Sequence, residues 1–239
     1  MLISIDSQLI FVMMKYLLPA VAGSFYPADT EQLNLEVKLL LSAVNEIAIG
    51  KIIQKSAPKA LIVPHAGYCY SGAIAASAYA CLKKSANAIN RVILLGPSHQ
   101  VALQGCAVPS HDMFISPNGE IDIDQEACQQ LLNLGLVTVN DQAHVWEHSL
   151  EVQLPFLHFC LPSFQLVPIV VGRCDPEVIS KILSVFINTA NSEDSADTLV
   201  VVSSDLSHYH TYQDAKVIDR KTITKIEHLS PIIQGNEAC

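Results

Sequence analysis

Three short apolar runs in this chain each end on a tight polar turn that carries a histidine, and no other feature limits its fold as strongly. Val63-Pro64-His65-Ala66-Gly67 closes the run from Ala60, Gly96-Pro97-Ser98-His99 closes the run Arg91 to Leu95, and Ser203-Ser204-Asp205-Leu206-Ser207-His208 closes the run from Thr198. A further run, Gln165 to Val171, is continuously apolar, as expected of a strand covered on both faces. Between the runs lie longer segments with helical spacing: Ser71 to Leu82, a stretch capped by Asp124 and reaching about Leu134, and Pro176 to Ala190. His148 to Cys160 is amphipathic, with Leu150, Leu154, Leu157 and Leu161 near one stripe and Pro155 set to kink or split it. Ile121 to Ile123 reads as a short strand. Alternation of this kind predicts a single α/β domain with a mixed or mostly parallel central sheet flanked by helices.

A core of that size is available, because half of the 239 residues are hydrophobic and only 15% are charged. Disordered and fibrous classes are excluded on the same numbers. Fourteen basic against 23 acidic residues leave a net charge of −9, which argues against a nucleic-acid partner. Seven cysteines, odd in number, scattered, and without a C-x-x-C pair, fit neither a disulfide framework nor a structural zinc site, so a reducing cytoplasm is the expected compartment. The apolar stretches before Phe25 are broken by Asp6, Gln8, Lys15 and Pro19, and are too short for a membrane span. Leu17 to Ala22 followed by Gly23-Ser24 has the outline of a signal sequence, but the stretch before Met13 has no basic residue. Residues 1–14 are expected to be a disordered extension and 15–239 the folded domain, with an abrupt stop at Cys239 that predicts a C-terminal truncation. Asn45 to Ala57 and Asn191 to Asp197 read as unstructured connections.

In open α/β sheets ligands sit outside the carboxyl ends of the strands, so His65, His99, Asp205 and His208 are expected to converge there. Imidazoles gathered with a carboxylate or thiolate make a metal site or a general-base site. His144 and His148 have an i, i+4 spacing, but Glu147 holds the wrong slot for the base of an H-E-x-x-H metalloprotease. His148 therefore reads as a pocket-lining donor with Glu151 one turn on, while Trp146 either walls the pocket or caps the core. Gly67 and Gly72 fit either a close backbone approach to a ligand or a plain helix start. His111, His158, His210 and His228 have no comparable placement. Ser203, Ser204, Asp205 and His208 supply the letters of a nucleophilic triad without a G-x-S-x-G elbow.

The segments Pro19-Ala-Val-Ala-Gly-Ser-Phe-Tyr-Pro27, Pro64-His-Ala-Gly-Tyr-Cys-Tyr-Ser-Gly72, Leu95-Gly-Pro-Ser-His99, Glu147-His-Ser-Leu-Glu-Val-Gln-Leu-Pro155 and Val202-Ser-Ser-Asp-Leu-Ser-His208 together resemble the Memo family, whose prokaryotic members are named AmmeMemoRadiSam system protein B. The first segment then belongs to the mature fold rather than to a cleavage site. The resemblance implies a fold similar to class III extradiol dioxygenases and a metal pocket of two histidines and a cysteine, here His65, His99 and Cys239. His148, Asp205 and His208 line the same pocket, with His208 as candidate base or proton donor and Asp205 as its orienter. Iron or copper is the implied cofactor ahead of zinc, and radical-SAM and AMMECR1-like proteins are the implied partners. Two functions follow: a metal-dependent oxidoreductase acting on dioxygen or a small phenolic or thiol substrate, or a non-catalytic module that recognises a small molecule, peptide or protein in that pocket.

Overall fold

The computed structural model describes residues 14–44, 58–187 and 197–230, so residues 1–13 of the expected extension, the 45–57 connection, residues 191–196 of the second connection and Cys239 lie outside the described residues. Its centre is a six-stranded sheet in the order β2-β9-β3-β8-β4-β7, formed by Ala60–Val63 (β2), Asp197–Ser203 (β9), Ile89–Pro97 (β3), Gln165–Val171 (β8), Cys106–Val108 (β4) and Thr138–Val139 (β7). β2, β9, β3 and β8 run parallel, β4 is antiparallel to β8, and β7 is parallel to β4. The mixed, largely parallel sheet of the sequence reading is therefore what the chain builds. Val92, Ile93, Leu94, Leu166, Val167 and Ile169 are fully buried, which is why β3 and β8 read as unbroken apolar runs.

Helices cover the sheet because parallel neighbours need crossover connections. They are Thr30–Ser42 (α1), Tyr68–Tyr79 (α2), Gln125–Asn133 (α3), Gln142–Val145 (α4), His148–Glu151 (α5), Leu154–Cys160 (α6), Pro176–Ile187 (α7) and Tyr212–Glu227 (α8). Asp124 caps α3 as expected, its carboxylate accepting from Ala127 N–H at 2.9 Å. Pro155 splits the 148–160 stretch: α5 ends at Glu151, and Pro155 lies in the first turn of α6, where its missing N–H costs nothing. The helix expected from Ser71 begins three residues earlier, at Tyr68, and runs into a 3₁₀ turn at Ala80–Leu82. Gly67 precedes it and Gly72 lies inside it, where a Cβ would come within 2.9 Å of Leu40 on α1. Helix start and helix packing thus account for these two glycines. The short strand expected at 121–123 is Gly119–Asp122 (β6), which joins Tyr16–Leu17 (β1) and Met113–Ser116 (β5) in a small sheet of order β1-β5-β6.

None of the described helices is long and apolar enough to cross a membrane. Beneath the site, the Tyr79 and Phe156 rings stack at 5.1 Å between centroids, and Tyr68 packs on Phe156 at the same distance. These rings fix α2 against α6. The N-terminal segment is tied down by Glu151, whose carboxylate accepts from Ala20 N–H at 2.7 Å, Val21 N–H at 2.9 Å and Tyr26 O–H at 2.6 Å. Glu151 is therefore a structural clamp and not a group lining the pocket.

Candidate metal centre

Strand register brings the histidines together. Val63 pairs with Ser203 and Leu95 with Val202, so β2, β9 and β3 end side by side, and the residues just past them meet at one edge of the sheet. The fourth contributor arrives from α5. A Cβ on Gly96 would lie 2.7 Å from Ser149 Oγ and 2.8 Å from Leu150 Cδ2, so only glycine lets the first turn of α5 sit against the end of β3. Ser149 O–H then donates to Pro97 O at 2.8 Å, and His148 comes to rest beside His99.

The His65 and His99 ring centroids are 5.2 Å apart, His65 and His148 5.7 Å, and His99 and His148 4.6 Å with the latter pair nearly stacked. One ligand atom from each of the three lies within 4.8 Å of the other two, a grouping that could hold a metal ion. His65 is buried at 2% exposure, the His99 side chain is 30% exposed, and His148 is half-buried. The cluster therefore has a protein-facing floor and an open side.

Hydrogen bonds set which nitrogen of two of these rings carries the proton. Pro64 O can only accept, so the side-chain amide of Gln153 turns its Nε2 to it at 2.9 Å and, from the same nitrogen, donates to Ser203 Oγ at 2.9 Å. The Gln153 Oε1 on the other side accepts from Tyr79 O–H at 2.9 Å. The single Ser203 hydroxyl proton goes to Ser149 O at 2.6 Å. Ser203 Oγ is thus left only as an acceptor for His65 Nδ1 at 3.0 Å, so that Nδ1 is the protonated nitrogen and Nε2 bears the lone pair. The same logic fixes His99, whose Nδ1 lies 2.8 Å from Glu147 Oε1 while its backbone N–H donates to Glu147 Oε2. A carboxylate cannot donate, hence His99 also presents Nε2 as its lone-pair nitrogen. Carboxylate or hydroxyl behind the ring, lone pair in front, is the arrangement found behind metal-bound imidazoles.

Electrostatics keep the cluster ready for a cation. Burial alone would raise the Glu147 carboxyl, but the His99 ring, the His99 backbone N–H and the Ser149 N–H outweigh it and hold it down to about 2. His148 is pushed below the usual histidine value by burial and by the neighbouring His99 and His65 rings, against the pull of Glu147 and Asp205. A neutral imidazole is the form that binds metal. Asp205 Oδ1 accepts the His65 backbone N–H at 2.7 Å, and its Oδ2 faces His65 Nε2 at 3.8 Å and His208 Nε2 at 3.6 Å. A lone-pair nitrogen facing a carboxylate oxygen is an arrangement that a bound cation, or a proton on His208, offsets.

Of the residues singled out from the sequence, His65, His99, His148, Asp205 and His208 lie together, and Cys239 falls outside the described residues. Asp205 Oδ2 and His208 Nε2 stand 3.6 Å apart, at contact distance but longer than a hydrogen bond. His144 is not a companion of His148: it lies on the separate helix α4 with Nε2 3.2 Å from Ala107 O. Trp146 is 65% exposed, so it does not cap the core. His158 packs against Gly119, and His228 Nδ1 meets Thr224 O at 2.7 Å, both structural settings. Sequence reasoning missed the supports Ser203-to-His65, Gln153 and Glu147-to-His99, since spacing does not report pairings across 138 and 48 residues.

Comparison with known proteins identifies the family of the chain. The family model for Memo-like proteins matches residues 18–233. The chain is 38% identical over 213 residues to a MEMO1 family protein of Aquifex aeolicus, covering 89% of this chain and 74% of that one. It is 37% identical over 221 residues to a MEMO1 family protein of Ignicoccus hospitalis, at 89% and 76% coverage, and 34% identical over 219 residues to one of Sulfolobus acidocaldarius. With the family's model spanning nearly all of the folded chain and these relatives alongside, the chain belongs to the Memo family.

Proposed function

We propose that this protein holds one iron or copper ion on His65, His99 and His148 and serves a redox role in that pocket. The observation that carries the reading is the pair of fixed tautomers: two of the three clustered imidazoles have their Nδ1–H engaged behind the ring, by Ser203 and by Glu147, so each turns a lone-pair Nε2 forward. Imidazole suits iron, copper and zinc alike, but only iron and copper supply one-electron redox chemistry beside Lewis acidity.

The chain's own residues divide the remaining work. His65 is held at both backbone and ring, by Asp205 and Ser203, so its position does not depend on a ligand. His208, with its side chain 47% exposed at the open side, is placed to pass a proton between solvent and a bound small molecule. Asp205 orients it through Oδ2 at 3.6 Å while anchoring His65 through Oδ1. Phe25, 4.9 Å from the His148 ring, gives the pocket an apolar wall for the carbon skeleton of a phenolic or thiol substrate.

Elemental analysis of anaerobically purified protein tests the assignment. About one iron or copper per chain is expected, lost in both His65→Ala and His99→Ala. Protein that stays metal-free after anaerobic addition of iron(II) and copper(I), yet keeps its fold, would replace this reading with that of a binding module.

A further inference from the structure

Away from the histidines, the fold brings the sulfurs of two cysteines, Cys106 and Cys174, into contact. Cys106 opens β4 opposite Val171, the last residue of the antiparallel strand β8, and Cys174 follows shortly after. Beyond Val171 the two chains stay linked: Gly172 N–H donates to Gly105 O, Gly105 N–H to Arg173 O, and Arg173 N–H to Leu103 O, all at 2.9 Å. Two glycines make this possible. Gly105 adopts φ +79°, and a Cβ on Gly172 would lie 2.2 Å from Leu103 O. The result is a Cys106 Sγ to Cys174 Sγ distance of 3.9 Å between residues on neighbouring backbones. Cys106 is buried at 2% exposure, whereas Cys174 is partly open to solvent.

We propose that Cys106 and Cys174 are a reversible redox pair that closes to a disulfide when the protein meets a hydroperoxide. The two sulfurs already lie 3.9 Å apart, so closing the bond asks for a shift of about 2 Å between them, which side-chain rotation about the Cα–Cβ bonds would supply. Cys174, the more exposed of the two residues, attacks the peroxide as its thiolate: an S–O bond forms, the O–O bond breaks, and the departing hydroxide takes up the proton the thiol gave up and leaves as water, with a sulfenic acid left on Cys174. Cys106 then displaces the sulfenic hydroxyl: the S–S bond forms, the S–O bond breaks, and the Cys106 proton leaves with that hydroxyl as water. In sum two thiols and one hydrogen peroxide give one disulfide and two waters, each sulfur losing one electron and the peroxide gaining two. Burial, reinforced by Cys174, pushes the Cys106 thiol up to about 12, so Cys106 is not the sulfur that attacks the peroxide.

The bond would act near the metal centre without being part of it. Ser98 N–H donates to Val171 O at 2.9 Å, and Cys106 lies opposite that same Val171. Both ends of the segment from His99 to Gly105 are therefore anchored at the end of β8, and the disulfide would lock that neck.

The test uses the full chain, reduced, then exposed to a small excess of hydrogen peroxide, its remaining thiols blocked, and digested without reductant. The expected result is a linked peptide joining Cys106 to Cys174, a loss of two thiols per chain, and recovery of both with dithiothreitol. Cys174→Ser is expected to leave Cys106 unlinked, and Cys106→Ser to leave Cys174 as a sulfenic acid that dimedone traps. Wild-type protein in which Cys174 advances to sulfinic acid while the two peptides run separately overturns the proposal, as does a linkage of either cysteine to a different partner.

Discussion

The Nδ1 of His99 lies 2.8 Å from Oε1 of Glu147, whose other oxygen accepts the His99 backbone N–H, so one buried carboxylate fixes both the ring and the chain that carries it. The position and protonation of the His99 ring are thus set by the protein alone, so a metal bound there would spend little free energy on ordering it.

The tautomers are directly observable. Free neutral histidine favours a proton on Nε2, but His65 and His99 are held as Nδ1–H by Ser203 and Glu147. Long-range nitrogen–proton correlation spectra of the metal-free chain are expected to show two rings with protonated Nδ1 and an imine-like Nε2, and Ser203→Ala is expected to release the His65 assignment. An Nε2–H tautomer at His99 in the wild type would contradict the account of the centre.

Gly96→Ala probes how α5 is seated. The added methyl meets Ser149 and Leu150 at 2.7 and 2.8 Å, so the first turn of α5 must move and take His148 with it. Overpacking of this kind costs ~1–3 kcal/mol. We expect a lower urea midpoint together with weaker metal binding in chelator competition. Unchanged values of both would show that α5 is not held by that contact.

Glu151→Gln tests the clamp on the N-terminal segment. Three donors converge on the carboxylate, from Ala20, Val21 and Tyr26, and an amide offers one acceptor oxygen and turns its own N–H groups toward the others. Leaving a buried donor unsatisfied costs ~1–3 kcal/mol. Limited proteolysis is expected to cut between residues 18 and 28 much faster in the variant. Equal rates would show that the clamp adds nothing.

Acid sensitivity follows from His144. Burial pushes its ring down to about 4, against the pull of the Ala107 carbonyl and Asp141, and its Nδ1 has no hydrogen-bond partner among the described residues. In the unfolded chain the ring takes up its proton near 6.5. Between about pH 6.5 and 4 the unfolded chain therefore holds one more proton than the folded one, so stability falls as the pH falls through that window, by ~3 kcal/mol in all. Urea unfolding of wild type and His144→Gln across pH 7 to 4 is expected to give curves that converge toward acid. Parallel curves would exclude His144 as the cause.

Much of the sheet was legible because β3 and β8 are covered on both faces and so appear as continuous apolar runs, and the Asp124 cap was legible because capping is local. Of the small β1-β5-β6 sheet only the strand near 121–123 was legible, since strands of two to four residues with mixed burial carry little period. α1 was missed although Asp29 and Gln32 give its start, the Asp29 carboxylate accepting from Gln32 N–H at 2.9 Å. At the site, the turn histidines His65 and His99 stood out by their place after strands. His148 was read as lining the same pocket, but its stacking against His99 was not legible, because it depends on Gly96 making room, a packing fact with no trace in spacing.

The insertion of β9 between β2 and β3 has a consequence for biogenesis. During synthesis the ribosome releases both flanking strands long before their shared neighbour, so a nascent chain carries unpaired strand edges until residues 197–203 emerge. Ser203 and Asp205, which hold the ring and backbone of His65, arrive with that last strand, so His65 takes its final setting only late in translation although it is made early.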